Sequence, residues 1–289
     1  MKGIISGALC LLVGIAWASH TRMDILMAGD FLDDITNINI HPHHIAVYHN
    51  TLYGDITAGL EDYGIVITPD TKYGAFAVWQ EPEADRNFNI GYGIQLKRFD
   101  LGILASPVKD HRRIGIGFGR TFFNRRFDLS FLYGENEDIE RSEFNLRLRN
   151  RSGDFVIIPK YRGNYVLEPI EYYRHRFGIL VERLVFNDGF VFLGAEYDFT
   201  RGDIENEFTN IYAGLEMPLS RRIVFLLGFY ERITEDFDAL VWHLEPGFRI
   251  RIKEFAFDFH LDTDTLFEDD EFTLSIFKSF GIELNFGKF

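Results

Sequence analysis

Four histidines crowd one short stretch of the chain: His41, His43, His44 and His49, with Asp33 and Asp34 upstream. Imidazole is a common ligand for zinc-type ions, and residues two apart on an extended segment share a face. His41 and His43 are therefore the candidates to meet one ion. No fixed zinc spacing and no nearby cysteine completes such a site, so no metal is assigned and the stretch reads as a polar segment packed against a sheet. Asp262, Asp264, Glu268, Asp269, Asp270 and Glu271 offer hard oxygen ligands but lack the glycine and spacing of an EF-hand, so they read as a solvated acidic loop. Nucleophilic hydrolysis would draw on Ser130 and Ser275 with His243 and His260, or on His260 with Asp258 or Asp262. No Gly-x-Ser-x-Gly follows the leader, and neither a phosphate-binding loop nor a dinucleotide fingerprint occurs. No cofactor is expected.

The remaining ionisable groups fall on alternate positions. The acids Asp128, Glu182, Glu196, Asp198, Glu216, Glu245, Glu254, Asp258 and Glu283 share this phase with the bases Lys97, Arg147, Arg149, Arg222, Arg232, Arg249 and Arg251. At 144–151, Phe144, Leu146 and Leu148 oppose Asn145, Arg147, Arg149 and Arg151; at 254–262, Phe255, Phe257, Phe259 and Leu261 oppose Glu254, Ala256, Asp258, His260 and Asp262. A period of two is a strand signature that no helix produces. Such strands are expected near 63–68, 72–81, 88–98, 99–106, 112–122, 125–134, 141–151, 173–186, 189–200, 206–217, 221–232, 239–252, 254–262 and 271–286. That makes about fourteen, within twelve to sixteen. Residues 152–172 fit either a long outer loop or extra strand pieces.

Many of these strands exceed the usual length of soluble ones and match a tilted membrane crossing. Tight turns at Asn124-Arg125, Asn187-Asp188 and Ser220-Arg221 alternate with longer acidic connections at 135–140, 201–205, 233–238 and 263–270. The predicted fold is all-β: an antiparallel, up-and-down transmembrane barrel over 61–289, behind an irregular plug-like segment at 19–60. Glycines on the polar face, among them Gly91, Gly93, Gly115, Gly117, Gly119, Gly214 and Gly228, are expected to leave room inside for a lumen or for long charged neighbours. The charged groups are expected to line the interior, with Arg249 and Arg251 near Glu254 and Asp258.

The composition agrees. Among 289 residues there are 30 Phe, 13 Tyr, 26 Gly and only 8 Pro. The net charge of −14 argues against a nucleic-acid partner. Residues 1–18 read as a secretory signal peptide: Lys2, the apolar run Ile4–Ile15, then Ala16-Trp17-Ala18. The sole cysteine, Cys10, lies inside that run, so the exported chain depends on its core and sheet rather than on disulfides.

The chain ends Phe286-Gly287-Lys288-Phe289 after an amphipathic strand whose apolar face is even-numbered. This resembles the outer-membrane β-barrel proteins of Gram-negative bacteria. The resemblance implies that Phe289 serves the barrel-assembly machinery and that outer-membrane lipid and lipopolysaccharide surround the wall. Phe289 is out of phase with the apolar face, which a bulge at Gly287 would correct. The stretch holding Asp30, Asp33, Asp34 and Asn37, followed by His41-Pro42-His43 and Tyr48, resembles the N-terminal segment of FadL-like and PorV-like barrels. Here histidines flank Pro42 where that family has Asn and Ala. The resemblance implies a segment packed in or under the barrel mouth.

The expected function is passive passage of small solutes or of a hydrophobic ligand, narrowed by residues 20–60. The alternatives are a plugged structural barrel acting through its outer loops, and a barrel hydrolase.

Overall fold

The computed structural model describes residues 20–57, 63–80, 88–108, 111–136, 139–168, 170–185, 189–234, 239–263 and 277–286. The expected leader, Ser275, Phe289 and the acidic loop from Asp264 to Glu271 lie outside the described residues.

Among the described residues, sixteen strands close into one barrel. They are β1 (Thr51–Thr57), β2 (Tyr63–Ile67), β3 (Ala75–Gln80), β4 (Phe88–Leu96), β5 (Phe99–Ser106), β6 (His111–Phe122), β7 (Arg125–Asn136) and β8 (Ile139–Ser152). They continue as β9 (Phe155–Glu168), β10 (Tyr172–Leu184), β11 (Phe190–Gly202), β12 (Asn206–Pro218), β13 (Ile223–Ile233), β14 (Ala239–Ile252), β15 (Phe255–Leu261) and β16 (Phe277–Asn285). Each strand runs antiparallel to the next, and β16 closes on β1 with Thr51 opposite Asn285. Closure leaves no unpaired strand edge, which a membrane-spanning sheet requires.

The outer face is apolar, with Ile103, Ile114, Ile116, Phe177 and Leu193 all exposed. Phe99, Phe122 and Phe155 stand outward near the tight turns, and Tyr63, Tyr165 and Tyr197 near the long loops. Aromatic side chains at both rims of an apolar belt mark the two membrane–water boundaries. The tight turns carry the left-handed backbone such hairpins need, at Gly153 (φ 62°), Phe123 (φ 54°) and Lys253 (φ 54°).

The count is sixteen rather than about fourteen, because of β1 and β9. β1 begins the wall at Thr51, ten residues before the expected boundary at 61. It is short, and Tyr53 and Asp55 both face inward and are buried, so the apolar–polar contrast is weak. β9 fills the stretch at 152–172. Its inward Val156 and Ile158 are buried while its outward Ile157 is exposed, so both faces are apolar and the alternation disappears. Pro159 adds to this by lacking a donor. Opposite it the β8–β9 pairing lapses between Arg147–Lys160 and Asn150–Ile157.

Residues 20–50 explain the apolar interior. A short helix, α1 (His20–Leu26), leads into three 3₁₀ turns at Gly29–Phe31, Ile35–Asn39 and Pro42–Ala46. This plug packs inside the wall through two apolar cores. One joins Ile25, Leu26, Phe31 and Leu32 to Ile158, Leu180, Phe192 and Leu226. The other joins Ile35, Ile38 and Ile45 to Tyr53, Val66, Trp79, Leu104 and Leu132. Burying each such side chain contributes about 1.5–3 kcal/mol before ordering costs. Gly91, Gly93, Gly117, Gly119 and Gly228 meet the plug, whereas Gly115 and Gly214 meet residues of the wall itself. A Cβ on Gly117 would lie 2.5 Å from His43 Nδ1, and one on Gly119 would lie 2.9 Å from His43 Nε2. The room that those five glycines provide is therefore taken up by backbone and side chains of the plug.

Candidate functional site

The ionisable groups of the inner face meet the plug near the tight-turn end. Arg147 on β8 is fully buried. It donates to Asp128 Oδ2 through Nε (3.1 Å) and Nη2 (2.8 Å), and to the plug at Asp30 O (3.0 Å) and Asp33 Oδ1 (2.8 Å). One guanidinium thus joins the wall to two points of the plug, which its planar fork allows. Asp128 on β7 also accepts from Arg126 Nε (2.8 Å) and faces His43 Nε2 (2.9 Å) and His44 Nε2 (3.3 Å). Arg149 pairs with Asp33 and with Glu182 (2.9 Å).

Two further clamps repeat this arrangement. Lys160 on β9 reaches Asp30 (2.7 Å) and Glu196 (2.9 Å), with its ammonium 3.8 Å from the centre of the Phe31 ring. Arg22 on α1 reaches Glu216 (2.8 Å) and Asp34 (3.0 Å). Asp34 also caps the following turn by accepting from Thr36 N. Hydrogen bonds to backbone complete the seat: Ser130 Oγ to Ile40 O (2.6 Å), Arg113 Nη2 to Asn39 O (2.6 Å) and Asn37 Nδ2 to Leu32 O (2.7 Å). Pro42 starts the third 3₁₀ turn, against Gly102.

The three histidine rings at 41, 43 and 44 pack on one another, with centroids 4.8–5.6 Å apart, and all are buried. Burial pushes His43 down to about 4 against the pull of Asp128, and it pushes His41 and His44 down as well. All three rings are neutral at pH 7. Burial raises the Asp30 carboxyl, but Lys160 and Arg162 together outweigh that and hold it far below the usual carboxylate range.

Elsewhere on the inner face Arg249 meets Asp258 (2.6 Å) and approaches Glu283 (3.7 Å). Arg251 lies near Glu216 (3.4 Å), Arg174 pairs with Asp198, and Arg232 donates to Asn210 (3.1 Å) beside the Phe208 ring. Three residues expected inside are not there. Lys97 and Glu254 sit exposed in the β4–β5 and β14–β15 turns, where the chain reverses and the inward phase ends. Arg222 is likewise exposed in the β12–β13 turn. Sequence reading missed Arg22, Lys160, Arg162, Glu143 and Arg126. Lys160 and Arg162 were hidden because β9 was not assigned. Their even-numbered phase with Val156 and Ile158 was the available signal.

Toward the long-loop end the plug leaves a cavity of about 510 Å³. Met23, Met27 and Ile40 form its floor, and Glu245, His260 and Lys278 stand in its wall. His260 Nε2 lies 2.7 Å from Glu245, and Ser279 Oγ lies 3.4 Å from His260 Nδ1. This is the connectivity of a hydrolytic triad. However, Ser279 is paired in register with both His260 and Thr57, so the neighbouring strand amides are committed to the sheet and not to an oxyanion.

This architecture is that of the porin-type barrels. A porin matches with a TM-score of 0.50 and 12% identity, over 82% of this chain and 90% of that chain. A loop-deletion mutant of OmpT, an outer membrane protein of Vibrio cholerae, matches with a TM-score of 0.50 and 10% identity, over 81% and 95%. An anion-selective porin from Comamonas acidovorans gives 0.49 and 9%, over 82% and 97%. At such identities the likeness concerns the fold. It gives no support to the FadL-like and PorV-like resemblance of the N-terminal stretch. No protein-family description matches the sequence, and no curated protein matches it.

Proposed function

We propose that this chain is an outer-membrane barrel of the porin type, closed at rest by residues 20–50, and that it passes small polar solutes when this plug shifts. The observation that carries the reading is how the plug is mounted. Among the described residues its backbone-to-backbone bonds run within itself, as from His41 N to Asn37 O and Val47 N to His44 O, except at its junction with β1, where Asn50 O accepts from Phe286 N; side chains such as Arg147, Lys160 and Arg22 tie it to the wall. A plug held in this way moves without breaking the strand ladder. Sixteen strands enclose an aqueous channel once the interior is vacated. With short turns at the periplasmic side, as in bacterial barrels, the plug lies at the periplasmic end and the cavity opens outward. Arg251, half-exposed at the inner rim, then stands beside the path.

A second reading, a permanently filled structural barrel acting through its outer loops, draws on the two apolar cores between plug and wall. Planar-bilayer conductance of the refolded chain separates the two. The wild type should show rare, brief openings. A double variant, Arg22→Ala with Lys160→Ala, should open far more often, and Arg251→Ala added to it should shift the ion preference. Steady porin-like steps from the wild type would refute closure at rest. Silence from both proteins, with heat-modifiable gel migration intact, would leave the structural reading.

A further inference from the structure

We infer that His43, His44 and Asp128 form a site for one zinc-type divalent transition-metal ion, which bridges the plug and the barrel wall. The three ligand atoms lie within 4.8 Å of one another, and all three residues are buried. Asp128 Oδ1 is 2.9 Å from His43 Nε2 and 3.3 Å from His44 Nε2. Ligands at about 2.0–2.1 Å from a tetrahedral zinc ion stand roughly 3.3 Å apart, so both separations from Asp128 already suit an ion, and the two imidazole nitrogens, within 4.8 Å of each other, close toward it on binding. Two imidazoles and a carboxylate suit zinc-type ions better than calcium or magnesium.

The surroundings support such a site. Arg147 holds Asp128 through Oδ2, which leaves Oδ1 directed at the two rings; outer partners of this kind orient a ligating carboxylate. Gly117 and Gly119 allow the His43 ring to lie directly on the β6 backbone. Arg126 Nε shares Oδ1 at 2.8 Å, and its Nη1 also binds Asp100 at 3.2 Å, so it keeps a partner when an ion takes Oδ1. Arg147 Nη2 lies 3.4 Å from His44 Nε2, a contact the ion would replace. Around the cluster four carboxylates (Asp33, Asp100, Asp128 and Glu182) face three guanidinium groups (Arg126, Arg147 and Arg149), which leaves room for added positive charge. His41 Nε2 is buried without a hydrogen-bond partner, and its ring packs 5.3 Å from that of His44, so it is at hand as a third imidazole.

Two ligands belong to the plug and one to the wall, so an ion bound here cross-links them. Burial means that it is taken up as the plug docks. The latch role rests on the closed-barrel reading; the binding of the ion does not.

The full chain refolded with Zn²⁺ or Co²⁺ and freed of excess metal tests the site. About one ion per chain is expected, and the Co²⁺ form should show the intense visible bands of tetrahedral coordination. Asp128→Asn and the double variant His43→Gln with His44→Gln should lose the ion, whereas His49→Gln should keep it. Folding is checked by heat-modifiable migration. A folded wild type without stoichiometric metal, or variants that keep the wild-type load, would overturn the site. If the variants fail to fold, the wild-type Co²⁺ spectrum decides, because octahedral bands alone would overturn it. Stoichiometric metal whose chelation leaves conductance unchanged would remove the latch role while sparing the site.

Discussion

Arg147→Ala is the sharpest test of how the plug is held. The change removes both bonds to Asp128 Oδ2, the pair to Asp33 and the donor to Asp30 O. Breaking one buried ion pair costs about 3–5 kcal/mol, because the remaining charge stays desolvated. A stranded carbonyl adds about 1–3 kcal/mol, which water entering the space left by the side chain offsets in part. Arg126 and the histidines still face Asp128 Oδ1, so we take about 4 kcal/mol as the net loss in docking, or roughly a thousandfold in the docked-to-undocked ratio. The assay is limited proteolysis of the refolded barrel in detergent, read by mass spectrometry. Cleavage within residues 20–50 should accelerate by orders of magnitude while the strands stay protected. Arg147→Lys should fall between the two, since it keeps a charge but not the two-pronged bond. Arg174→Ala, whose pair with Asp198 joins two strands of the wall, should behave like the wild type. An Arg147→Ala protein with the wild-type cleavage rate would refute the clamp.

The wall glycines and the pH dependence give two further expectations. Gly117→Ala places a methyl group 2.5 Å from His43 Nδ1 and should cost about 1–3 kcal/mol of plug docking, seen as faster cleavage at unchanged gel migration. Gly134→Ala, whose nearest neighbour atom is 3.5 Å away, should be neutral, and equal behaviour of the two would exclude crowding as the reason for glycine. Lys160 holds Asp30 below its free value, so that pair stabilises docking above about pH 4 and its contribution is lost as the pH falls from there. Protease sensitivity of the plug should therefore rise below about pH 4 and depend less on pH in Asp30→Asn; identical maps at pH 7 and pH 3 would contradict this.

Much of the wall was legible because a strand between lipid and a polar interior must alternate. β7, β8, β14 and β15 read correctly on that basis, and Arg249 meets Asp258 across neighbouring strands. The rule failed where its premise failed. β9 lies over the plug, so Val156 and Ile158 are apolar on the inside and no contrast remains. β1 is short, with Tyr53 and Asp55 both turned inward. The N-terminal stretch was recognisable as something other than wall, yet its histidines gave no sign of their neighbours. His44 Nε2 reaches Asp128 across 84 residues of sequence, and no local spacing encodes such a contact.

Amino-acid order alone therefore determined the class of the molecule: alternation, strand length and turn chemistry act between near neighbours and demand a closed apolar-belted barrel. Only the tertiary structure decided what occupies the interior. The inward glycines and charges are equally compatible with water or with folded chain. The choice came from long-range packing of Ile25, Phe31, Ile38 and Ile45 against distant strands, and from Arg147, Lys160 and Arg22 finding partners on opposite sides of the plug–wall boundary.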